Sequence, residues 1–155
     1  MKLSRSRKGF TLIELLLVIG IIAILASIVI VAINPTKQLG DARNAQRRSD
    51  VNTVLNAVYQ YAIDHNGTMP GCLADTATVY PAKICTTATC TGVTGGCDLT
   101  PLTSTYIVAL PKDPSYVLAT NGEDSLYTIS LASGRVTVSA PGTEPEGSTA
   151  ISVTR

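Results

Sequence analysis

The sequence predicts an α+β fold in which a long N-terminal helix packs on a small antiparallel β-sheet. Three observations predict it. An apolar run extends from Phe10 to Ile33, helical spacing of apolar residues resumes at Val51, and short β-rich runs after Ser115 are separated by Asn-Gly and Ser-Gly turns. The 155 residues suit an anchor plus one modest domain, and a 5% aromatic content with no Trp and one Phe implies a light core.

Residues 1–9 form a basic leader carrying Lys2, Arg5, Arg7 and Lys8 and no acid. That asymmetry holds the N-terminus in the cytoplasm and places everything after Ile33 outside. Phe10 to Ile33 is 24 residues with one charge, Glu14, and about 20 apolar residues in a helix cross the hydrocarbon core. Thr11, Gly20 and Ser27 are the other breaks in the aliphatic pattern, so the helix is apolar all round. A cleaved secretory signal is the nearest alternative, but its apolar core spans about 7 to 15 residues and ends at a small-residue site. Here the run is longer and leads into a second helical pattern. A carboxylate at mid-bilayer costs about 2.5 to 3.5 kcal/mol, so Glu14 requires a partner.

The string Gly9-Phe10-Thr11-Leu12-Ile13-Glu14 behind a short basic leader resembles the processing motif of type IV prepilins and of the related pseudopilins of type II secretion. The resemblance implies a pilin-like α+β fold and a membrane prepilin peptidase and methyltransferase that cuts between Gly9 and Phe10 and methylates the Phe10 amine. It further implies assembly by a motor and an inner-membrane platform into a helical homopolymer, with minor pilins as further partners. The chain is then a single-pass membrane protein in contact with lipid, and later an extracellular or periplasmic filament. The physics of the motif is compatible: the freed Phe10 amine is cationic, and Glu14 of a neighbouring subunit can pair with it. A buried ion pair of that kind sets register more than it adds stability. Gly9 lets a protease approach the backbone closely.

Asn34-Pro35 interrupts the helix, because proline removes a donor and disfavours helical geometry before it; a kink is expected at Pro35. Residues 34–65 continue as an amphipathic helix with Val51, Val54, Leu55, Val58, Ala62 and Ile63 on one face and Asp50, Thr53, Gln60 and Asp64 on others. Lys37, Asp41, Arg43, Arg47, Arg48 and Asp50 form a charged collar. In it Lys37 can pair with Asp41 and Arg47 with Asp50, or the collar meets headgroups and then neighbouring subunits. Asn66-Gly67 followed by Pro70 stops the helix. Lone His65 has no matched ligand spacing and is a poor metal or catalytic candidate.

Residues 66–155 form the globular head. Its Cys-rich loop, 71–100, contains Cys72, Cys85, Cys90 and Cys97. Four cysteines in an exported segment read as two disulfides, with three connectivities open. Intervals of twelve, four and six residues, with no CxxC pair, fit no common zinc module.

Leu110-Pro111-Lys112-Asp113-Pro114 is a turn segment and resembles the string that opens the sheet in major secretion pseudopilins, although Ser115-Tyr116 replaces their usual Trp-Gly. Those proteins bind calcium in the following loop, which makes Asp113, Glu123 and Asp124 the candidate calcium ligands here; their spacing is looser than that of a dedicated calcium loop. No other cofactor is expected. A β-meander over 115–140 comprises Tyr116 to Ala119, Leu126 to Leu131 and Arg135 to Ala140. Tyr127, Ile129 and Leu131 share one face, as do Val136 and Val138. Pro141 to Ser148 reads as a flexible link, with a last strand from Ala150 to Val153.

Two function classes follow. One is a structural filament subunit, expected as a surface type IV pilin with a type II secretion pseudopilin as the alternative. The other is a membrane-anchored binding module or enzyme, for which residues 65–155 offer no constellation of nucleophile, base and orienting group. Nucleic-acid binding by the head is disfavoured, since residues 65–155 hold 4 basic and 7 acidic side chains.

Overall fold

A computed structural model describes residues 9–74, 81–143 and 149–155. The leader up to Lys8 and most of the link expected over 141–148 lie outside the described residues. The chain divides into two compact units, Met1–Gln38 and Leu39–Arg155.

The first unit contains helix α1 (Leu12–Ile33), which is apolar enough to cross a membrane and buries none of its residues. Within it the Ser27 hydroxyl donates to the Ile24 carbonyl at 3.0 Å, which satisfies the one hydroxyl in the middle of the run. The helix ends on Asn34, whose φ of 45° is left-handed, a conformation that Asn tolerates better than branched residues. Helix α2 (Pro35–Asp64) begins at the next residue. Proline suits that first position, where its missing N–H would have no helical acceptor anyway, and Asn34 Oδ1 accepts the Lys37 N–H at 3.3 Å. One residue therefore closes one helix and caps the next.

The second unit holds most of α2 and a five-stranded sheet of order β2-β1-β3-β4-β5, with β1 (Ala82–Cys85), β2 (Gly96–Asp98), β3 (Asp124–Ala132), β4 (Arg135–Ala140) and β5 (Ile151–Thr154). The β3–β4 hairpin pairs Ile129 with Val138 and Leu131 with Val136 through a turn at Ser133-Gly134, both at positive φ. Val51, Val54, Leu55 and Val58 of α2 join Tyr127, Ile129, Val136 and Val138 of the sheet in one buried core. Gly67, at φ 87°, donates its N–H to the Ala62 carbonyl at 2.7 Å and stops α2.

The sheet is mostly antiparallel, as expected, with β1 and β2 running parallel. Four other expectations need correction. Tyr116 to Ala119 is not a strand: Leu118–Asn121 forms a short helix, α3, and the Val117 N–H is taken by Asn121 Oδ1 at 2.8 Å, which turns the chain. Ile63 is 77% exposed. Asp50 is buried, and so is Arg47, at 1% exposure. Helical spacing classifies residues by polarity, and it cannot anticipate that a polar residue will find a buried partner from another element.

The cysteines pair as Cys72–Cys97 and Cys85–Cys90. Ile84 is opposite Cys97 and Lys83 opposite Gly96 in the β1–β2 register. Side chains alternate along a strand, so the two bridges lie on opposite faces of this pair. Two glycines make room for them. A Cβ on Gly96 would meet Cys85 Sγ at 2.5 Å, and one on Gly71, at φ 53°, would meet the Asp98 carbonyl oxygen at 1.9 Å.

Candidate functional site

The candidate site is the segment entering α1. Gly9, Phe10 and Thr11 precede the helix and are exposed, and a Cβ at Gly9 would meet no atom within 4 Å. Thr11 is the N-cap, with extended backbone at φ −79° and ψ 151°. Glu14, three residues on, completes a capping box. The Thr11 hydroxyl accepts the Glu14 N–H at 3.3 Å, and Glu14 Oε2 accepts both the Thr11 N–H and the Thr11 hydroxyl at 2.8 Å. Sequence reading missed this role for Thr11, although Thr-x-x-Glu ahead of an apolar run is its signature. Glu14 thus has an intrachain partner in addition to any that assembly supplies. Among the described residues Glu14 Oε1 takes no hydrogen bond, so one oxygen remains for a cation. Phe10 is 89% exposed.

The three calcium candidates are not gathered in one place. Asp113 is buried against Arg47, with Arg47 Nε donating to Asp113 Oδ2 at 2.7 Å and a terminal guanidinium nitrogen to Oδ1 at 2.9 Å. The Ser115 N–H and hydroxyl donate to Oδ1 as well, at 2.8 and 2.5 Å. Burial alone would raise the Asp113 pKa, but these hydrogen bonds outweigh it and hold the carboxyl below its ordinary value. Asp124 accepts from Lys83 Nζ at 2.7 Å. Glu123 accepts from the Thr89 hydroxyl at 3.2 Å and from the Thr91 N–H, and hydrogen bonding led by the Thr87 side chain lowers its pKa. Among the described residues no three His, Cys, Asp or Glu side chains converge on a metal position.

The collar also resolves differently. Arg47 pairs with Asp113 and with Asn44 Oδ1 at 2.9 Å, not with Asp50, and its burial removes it from any subunit surface. Asp50 instead accepts from Tyr127 and Gln46, each at 2.7 Å. His65 is exposed and its ring stacks on Tyr61, with centroids 3.8 Å apart.

The chain thus presents an exposed apolar helix entered through a capped Thr-x-x-Glu, followed by a small α+β head. Residues 4–30 match the model for the prokaryotic N-terminal methylation motif. Over 137 residues the chain is 30% identical to the type II secretion system core protein G of Escherichia coli (strain K12), covering 83% of each chain. No solved structure matches the chain at a significant level. The chain belongs to the type IV pilin and pseudopilin family of structural, non-enzymatic proteins. Membership implies processing at the methylation motif by a prepilin peptidase and assembly by pilus or secretion machinery, and the N-terminal apolar helix is consistent with membrane anchoring before assembly.

Proposed function

We propose that this chain is a structural subunit of a type II secretion pseudopilus. In this reading residues 1–9 are a leader removed between Gly9 and Phe10, residues 10–33 are first the membrane anchor and then the filament core, residues 34–65 extend that helix, and residues 66–155 are the periplasmic head. The observation that carries it is the extent of the likeness to the secretion core protein. It covers 137 residues, far beyond the motif matched at 4–30, and therefore extends into the head.

The local geometry supports the processing step. The Gly9–Phe10 bond lies in exposed, non-helical chain, so a peptidase need not unwind a helix to reach it. Cleavage would create the Phe10 amine, methylation would leave it cationic, and Glu14 Oε1 of a neighbouring subunit would receive it while Oε2 keeps its Thr11 bonds. The pairing sets axial register between subunits.

A surface type IV pilus is the second reading, favoured by the four-cysteine head and by Ser115-Tyr116 after the Leu-Pro-Lys-Asp-Pro string. Deleting the gene in its host separates the two. Loss of exoprotein secretion with surface fibres intact supports the pseudopilus. Normal secretion with loss of sheared fibres beginning at methylated Phe10 supports the pilus. In either background Glu14→Val is expected to retain insertion and cleavage and to lose assembly, whereas a bulky residue at Gly9 blocks processing. Wild-type fibre levels in Glu14→Val would refute the pairing.

A further inference from the structure

The core face of α2 consists of short aliphatic side chains, Val51, Val54, Leu55, Ala57, Val58 and Ala62. Residues of such similar size give the helix little means of distinguishing one seating on the sheet from another. A slip of one turn, about 5.4 Å along the axis, would put Val54 or Leu55 in place of Val51 and Ala57 or Val58 in place of Val54, and only further along would a tyrosine, Tyr59 or Tyr61, enter the face. Two buried polar contacts from the first half of this face break that degeneracy. Arg47 grips Asp113 with two prongs, and Asp50 accepts the Tyr127 hydroxyl. The partners lie 66 and 77 residues away in sequence, one in the segment between β2 and β3 and one in the central strand β3. Arg47, Asp50, Asp113 and Tyr127 are each at most 7% exposed. Any one-turn slip would carry the guanidinium away from its carboxylate and leave two buried charges without each other.

We propose that Arg47–Asp113, with Asp50–Tyr127 beside it, is a register lock: it specifies the rotation and axial seating of α2 on the sheet, and thereby which face of α2 the head exposes. A buried ion pair adds little stability over a well-packed apolar contact, and its best-attested use is to select one arrangement among several. The two-pronged geometry matters, because Arg presents a rigid fork to a carboxylate where Lys presents a point charge. Neither contact depends on what the assembled filament does, so the lock is testable on the monomer.

The test uses the full chain in detergent micelles with methyl-labelled Val, Leu and Ile. Arg47→Met alone is expected to lower the melting temperature by more than about 10 °C, because it strands Asp113. The double variant Arg47→Met/Asp113→Leu is expected to recover most of that loss. It should nevertheless give doubled or exchange-broadened methyl signals at Val51, Val54, Leu55, Val58, Ile129 and Val138. Arg47→Lys should fold and show broadening at the same methyls. One sharp set of signals with wild-type shifts in the double variant would overturn the lock, since the apolar face would then suffice. A double variant without dispersed methyl signals would also overturn it, by making the pair a requirement for folding and not for register.

Discussion

The Tyr127 hydroxyl donates to Asp50 Oδ2 across 2.7 Å in the fully buried layer between α2 and β3. Among the described residues it is one of two donors on that carboxylate; the other is Gln46 Nε2. Burial and the adjacent Asp50 charge push the Tyr127 phenol far above its ordinary pKa. Tyr127→Phe removes the donor and leaves a buried carboxylate oxygen unpaired, so it should destabilise the head by about 1 to 3 kcal/mol. Thermal melting of the full chain in detergent measures that loss. In an alkaline absorbance titration the wild type should retain one protonated tyrosine beyond the range in which exposed tyrosines ionise.

Asp113 predicts the acid limb of stability. Its folded pKa lies below that of an unfolded aspartate, about 3.9. A group with a depressed folded pKa contributes stability that is fully present above the unfolded value and lost as pH falls through the folded one. The wild type should therefore hold this contribution at neutral pH and lose it below about pH 4. Asp113→Asn should be less stable at pH 7 and show a shallower loss on acidification. Equal acid limbs in the two chains would contradict the assignment.

The two disulfides should differ in worth. The Cys72–Cys97 bridge closes a separation of 25 residues and Cys85–Cys90 one of 5. Loop-closure entropy scales these to about 3.5 and about 2 kcal/mol. Denaturant unfolding of Cys72→Ser/Cys97→Ser should show the larger loss, and the reverse order would point to strain or residual structure as the dominant factor.

Thr11→Ala should weaken the start of α1 by about 0.5 to 2 kcal/mol, the usual penalty for losing an N-cap. Faster amide exchange at Glu14 and Leu15 in micelles would report it. Unchanged exchange would mean that the capping box does not persist in an apolar medium.

Much of this chain was legible locally. The apolar run, the break at Asn34-Pro35, the stop at Gly67 and strand β4 from Arg135 to Ala140 each depend on residues adjacent in sequence. The processing segment was legible for the same reason, since Gly9 to Glu14 is one contiguous string. What stayed hidden depends on contacts between distant residues. The parallel β1–β2 pair forms where two disulfides grip it from opposite faces, and neither the spacing of four cysteines nor their surroundings encodes a connectivity.

By itself, then, the sequence determined the apolar helix, the capped entry to it and the second helix, because these follow from hydropathy and backbone chemistry over a few residues, and its contiguous Gly9 to Glu14 string pointed to the family. Only the tertiary structure decided the rest. It took Arg47 and Asp50 from an apparent surface collar into the core, gave Asp113 a guanidinium as its partner, and exposed Ile63. For the three buried charges, Arg47, Asp50 and Asp113, the physical reason is common: a charge is buried only where a specific partner compensates it, and those partners lie 66 and 77 residues apart along the chain.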